Sequence, residues 1–182
     1  MSAPCLVTID WQKAFRDLDY WGRRNNPRAL DNAARLTEHW RARGWPVRHV
    51  RHASLVAGSP LAADAPGFAF EDFARPRKGE AEYVKHVNSA FIGTSLEDDL
   101  RAAGIGALVI CGVTTDHCVS TTARMAANLG FAVTLAGNAC FTFDRAAPDG
   151  RIIEARLVHE VNLASLHDEF AQVKDTDTIV SG

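Results

Sequence analysis

Two stretches decide the fold: Cys5-Leu-Val-Thr-Ile9-Asp10 near the start, and Ala107-Leu-Val-Ile-Cys111-Gly112-Val113-Thr114-Thr115-Asp116-His117-Cys118-Val119 in the middle of the chain. Each begins as a short, continuous apolar run rich in β-branched residues, the pattern of a strand buried on both faces. Each run stops at a polar turn. Working outward, Pro46 to Val50, Tyr83-Val84, Phe131 to Ala136 and Phe170 to Val173 read as further strands. Between them lie helical segments. Asn26 and Pro27 suit an N-cap and first helical position, and Ala29, Ala33, Leu36 and Trp40 follow at helical spacing until Gly44. Thr94 to Ala103, Thr115 to Leu129 and about Asp149 to Leu166 are the other predicted helices. Strands alternating with helices imply an α/β protein with a parallel sheet covered on both faces, a three-layer α/β/α sandwich.

Length and composition fit this picture. A chain of 182 residues suits one domain, expected to span 1–182, and needs neither disulfide nor metal to fold. An apolar content of 47% excludes intrinsic disorder. The net charge of −2 and the lack of a basic stripe argue against a nucleic-acid partner. There is no signal-like start and no apolar run of roughly 18 residues, so a cytoplasmic protein with no membrane partner is expected. Cys5, Cys111, Cys118 and Cys140 have neither CxxC nor metal-finger spacing. Three of them read as inert core thiols.

In an open parallel sheet, ligands bind beyond the carboxyl ends of the strands. Asp10, Lys85 and Cys118 all fall at such ends. A thiol near a helix start, beside an ammonium, is expected to favour thiolate. A carboxylate within reach can take its proton, and backbone N–H groups of the turn can hold an oxyanion. These parts suit acyl transfer through a thioester. Residues 53 to 80, with Phe68, Phe70 and Phe73, read as a long ordered loop, functional by its length.

Three blocks together, Val7-Thr8-Ile9-Asp10-Trp11-Gln12, Lys85 ahead of Ser89-Ala90-Phe91, and Gly112-Val113-Thr114-Thr115-Asp116-His117-Cys118-Val119, resemble the isochorismatase-like cysteine hydrolases. That superfamily includes nicotinamidases and N-carbamoylsarcosine amidohydrolase. The resemblance covers about Leu6 to Phe143 and implies a six-stranded, Rossmann-like sheet. It also implies that Cys118 is the nucleophile, Asp10 the general base and later acid, and Lys85 the residue that stabilises the thiolate. A cis Val113–Thr114 bond is implied too, aiming the N–H of Thr114, with that of Cys118, at the oxyanion. Phe15, Phe91 and His117 are candidate substrate contacts; a Cys118–His117 dyad is disfavoured, because neighbours at a helix start diverge.

The sequence also departs from the resemblance. The metal-binding Asp-x-His pair of the nicotinamidase branch is missing. His49 and His52 are three apart on a predicted strand and should face opposite ways. No metal and no cofactor is therefore expected. Asn138-Ala139 stands where many relatives carry Asp-Ala. The resulting expectation is a homo-oligomeric amidohydrolase acting on a small carboxamide or ureido-type C–N bond. Two alternatives stay open: ether or ring-amide hydrolysis of the isochorismatase type, and a non-catalytic binding or redox-sensing role.

Overall fold

The computed structural model describes residues 3–182. Its centre is a sheet of six parallel strands: β1 (Cys5–Ile9), β2 (Val47–His52), β3 (Ala81–Lys85), β4 (Ala107–Val113), β5 (Ala132–Phe141) and β8 (Gln172–Lys174), in the order β3-β2-β1-β4-β5-β8. β1 and the carboxyl half of β4 are wholly buried, as their unbroken apolar runs require. Strands β6 (Arg145–Ala146) and β7 (Ile152–Ile153) form a separate antiparallel pair.

Helices α2 (Ala29–Ala42) and α6 (Thr176–Ser181) pack together against the sheet, as do α4 (Ser120–Asn128) and α5 (Ala155–Leu166). Successive residues of β5 show that these pairs cover opposite faces. A Cβ on Gly137 would meet Leu163 of α5, whereas the Asn138 side chain accepts hydrogen bonds from Thr176 of α6. The α1 (Leu18–Trp21) and α3 (Leu96–Ala102) segments are short. Among the described residues, no helix is long and apolar enough to cross a membrane.

Several boundaries differ from the sequence expectation. Asn26 is no N-cap: it sits at φ 46°, and its amide donates to the Asn138 and Cys140 carbonyls. Those carbonyls need partners because β5 bulges against β4, with Ile110 paired to Leu135 but Gly112 to Cys140. Asn138 is thus part of this bulge. Its backbone carbonyl also accepts from Asn32 of α2. The helix expected from Asp149 begins only at Ala155, because the residues before it form the β6–β7 hairpin.

Candidate active site

The strand order reverses between β1 and β4, which opens a crevice beyond their carboxyl ends. Gly112 lets the two ends close up: a Cβ there would lie 2.3 Å from the Ile9 carbonyl oxygen. Asp10, at φ 52°, turns the chain out of β1 into this crevice. On the other side, the Val113–Thr114 peptide is cis, and Thr115–Val119 form one wide turn before α4 begins at Ser120. Val119 N donates to the Thr114 carbonyl, five residues back. The sequence expectation was an α-helix from Thr115. A wide turn of this kind is often found at functional sites, and here it carries Cys118.

Lys85 comes from β3, two strands away from Asp10. Its long side chain crosses the end of β2, and its Nζ lies 2.7 Å from Asp10 Oδ2 and 3.2 Å from Cys118 Sγ. Lys85 and Asp10 are both fully buried. Cys118 Sγ also faces Asn88 Oδ1 at 3.8 Å. The second Asp10 oxygen has no hydrogen-bond partner and is shut off from solvent.

The electrostatics correct one expectation. Burial pushes the Cys118 thiol above its ordinary pKa, and the Asp10 charge adds to this against the opposing pull of Lys85. The resting group is therefore a neutral thiol beside a carboxylate–ammonium pair, not a standing thiolate. The physical reason is charge balance: a thiolate would leave the buried trio with a net negative charge. Burial works against the Lys85 ammonium, and the Asp10 carboxylate beside it works in its favour.

His52 was not anticipated as a site residue. In the β2–β3 register it is the direct partner of Lys85, so both side chains point to one face. Its Nδ1 is 3.3 Å from Lys85 Nζ. Burial and the neighbouring ammonium lower its pKa, so the imidazole is neutral. His49 points the other way, between Thr8 (2.9 Å) and Glu80 (2.8 Å), as three-residue spacing on a strand requires. Asp10, His52 and Cys118 present donor atoms within 4.8 Å of one another, a cation-binding spacing. The Lys85 ammonium stands against all three.

The turn is braced from outside. Arg145 reaches Asp116 Oδ2 at 2.7 Å and Thr114 Oγ1 at 3.4 Å. Burial opposes ionisation of Asp116, but Arg145 and Thr142 hold its carboxyl below the ordinary range. Thr115 Oγ1 meets His159 Nδ1 of α5 at 2.8 Å.

A cavity of about 220 Å³ opens over Cys118. Phe15, Tyr20, Trp21, Val56 and Leu61 supply an apolar wall, and His52, Asn88, Thr114 and His117 a polar one. Of the expected substrate contacts, Phe15 and His117 lie in this lining and Phe91 does not. Ala90 N donates to Thr122 of α4, which turns the segment away, and Phe91 stacks on Phe131 at 5.9 Å. Asn88, three residues earlier, lines the cavity in its place. Of the loop aromatics, Phe68 and Phe70 pack under the Arg51 guanidinium instead. The loop's own contribution is Ser54, Val56, Ser59 and Leu61.

Comparison with known proteins agrees with this architecture. The sequence profile of the isochorismatase domain matches residues 4–178. The isochorismatase family protein YrdC of Bacillus subtilis is 41% identical over 176 residues, covering 97% of this chain and 94% of its own length. An isochorismatase-family structure from Chromobacterium violaceum superposes with a TM-score of 0.93 at 46% identity, over 98% of this chain and 92% of that one. N-carbamoylsarcosine amidase from Thermoplasma acidophilum superposes with a TM-score of 0.74 at 26% identity, over 97% and 98%. With the matching profile running nearly end to end over a six-stranded parallel sheet, the chain belongs to the isochorismatase family of hydrolases.

Proposed function

We propose that the protein hydrolyses a small carboxamide or ureido-type C–N bond through a thioester on Cys118. The observation that carries this reading is the contact of Lys85 Nζ with both Asp10 and Cys118 at the floor of the cavity. Asp10 takes the thiol proton on its unpartnered oxygen as the sulfur attacks the carbonyl carbon. The carbonyl π electrons move to oxygen, and the N–H groups of Thr114 and Cys118 receive that charge. Collapse of the tetrahedral species breaks the C–N bond. Asp10 returns its proton to the leaving nitrogen, and ammonia or an amine departs. Water then attacks the thioester and gives a proton to Asp10. The C–S bond breaks, the carboxylic acid leaves, and the proton returns to sulfur.

Keeping the thiol protonated at rest suits this cycle, because Asp10 must begin as a free base. The amidase among the structural relatives favours amide over ether cleavage. The test is a panel of small primary amides and ureido compounds with ammonia detection, coupled to intact-mass analysis for an acyl adduct on Cys118. Ammonia release that vanishes in Cys118→Ala, with an adduct trapped at Cys118, is the expected result. A Cys118→Ala variant that keeps turnover would overturn the mechanism.

A further inference from the structure

We infer that His52 is a positioning residue of this group, a neutral imidazole whose Nδ1 takes the third N–H of the Lys85 ammonium and so aims the other two at Asp10 and Cys118. The inference rests on the proposed roles of those three residues. An ammonium has three donors and no acceptor. Around Lys85 Nζ stand three acceptors: Asp10 Oδ2 at 2.7 Å, Cys118 Sγ at 3.2 Å and His52 Nδ1 at 3.3 Å. Because the ammonium can only donate, Nδ1 must accept, which puts the ring proton on Nε2.

His52 is itself unusually well fixed. Gln12 grips both of its backbone groups: Gln12 Oε1 accepts from His52 N at 2.8 Å, and Gln12 Nε2 donates to the His52 carbonyl at 3.1 Å. Gln12 Nε2 also reaches the Phe68 carbonyl at 3.3 Å, tying the long loop to the same point. The chemistry explains why a neutral acceptor belongs here. Lys85 must cross from β3 to the crevice on a flexible four-carbon stem, and an unfilled N–H would let the ammonium turn about that stem. A carboxylate in this place would add a second negative charge beside Asp10 and hold the thiol proton still more tightly. A neutral ring nitrogen fills the third direction without changing the charge of the trio.

The test uses two polar replacements that differ in where they put an oxygen. In His52→Asn, Oδ1 takes the place of Nδ1; in His52→Gln, Oε1 lies one bond further out. The readout is the pH profile of Cys118 alkylation by iodoacetamide, followed by peptide mass spectrometry alongside Lys85→Ala, with melting curves to check folding. His52→Gln should slow Cys118 alkylation about tenfold and shift its rise to higher pH, towards the profile of Lys85→Ala, while His52→Asn stays within about threefold of wild type. Wild-type profiles in both variants, or equal loss in both, overturn the positioning role. Cys118 no more reactive than Cys111 in the wild type would instead defeat the proposed function itself. A second measurement needs no variant: the ¹⁵N shifts of His52 in the wild-type protein near pH 7. The Nε2–H tautomer with an accepting Nδ1 is expected, and the Nδ1–H tautomer overturns the inference.

Discussion

Replacing Lys85 with Met keeps most of the stem volume and removes the charge. Lys85 and Asp10 are both fully buried and 2.7 Å apart, so the substitution strands a carboxylate in the core. Removing one partner of such a pair costs about 3–5 kcal/mol, a large share of the ~5–15 kcal/mol that holds a typical protein together. The loss should be seen in urea unfolding at pH 7.5. It should shrink at pH 5.5, because an unpaired buried carboxylate relieves the penalty by taking up a proton. The double variant Asp10→Asn/Lys85→Met removes both charges. Its loss should fall short of the summed single losses by about 1–3 kcal/mol, the coupling expected of residues in contact. A Lys85→Met loss below about 1 kcal/mol, unchanged between the two pH values, would refute the reasoning. So would strict additivity in the double variant.

Three further outcomes are expected. Because burial and Asp10 hold the Cys118 thiol above its ordinary pKa, its alkylation rate should climb steadily with pH beyond 9, and Asp10→Asn should change that rise; a plateau at neutral pH would count against a protonated resting thiol. Glu80 is drawn down to about 2: burial opposes ionisation, but Arg41, the Arg77 N–H and His49 outweigh it. Its ionised form therefore adds stability above the unfolded-state value near 4.5 that is lost as pH falls towards 2. Glu80→Gln should cost roughly 2–3 kcal/mol in urea melts at pH 7 and almost nothing near pH 2. Gly112→Ala would force a Cβ to within 2.3 Å of the Ile9 carbonyl, so strands β1 and β4 must part; a melting temperature equal to wild type would show that this close approach is not needed.

The sequence already contained the order of elements and the three residues of the trio. Unbroken apolar runs fix strands buried on both faces, and a strand's end is a local property, so Asp10, Lys85 and Cys118 could each be assigned to one edge of the sheet. The opposed directions of His49 and His52 follow from strand period alone. Tertiary structure decided what depends on neighbours distant in sequence. His52 becomes a partner of Lys85 only through the β2–β3 register, which no single strand encodes. Phe91 left the cavity because Thr122 of α4 turns its segment, and Asn88 stands there instead. The protonation of Cys118 could not be judged from a helix start and a nearby lysine. It turns on how completely the site is buried and on a carboxylate beside the sulfur, and both are products of packing.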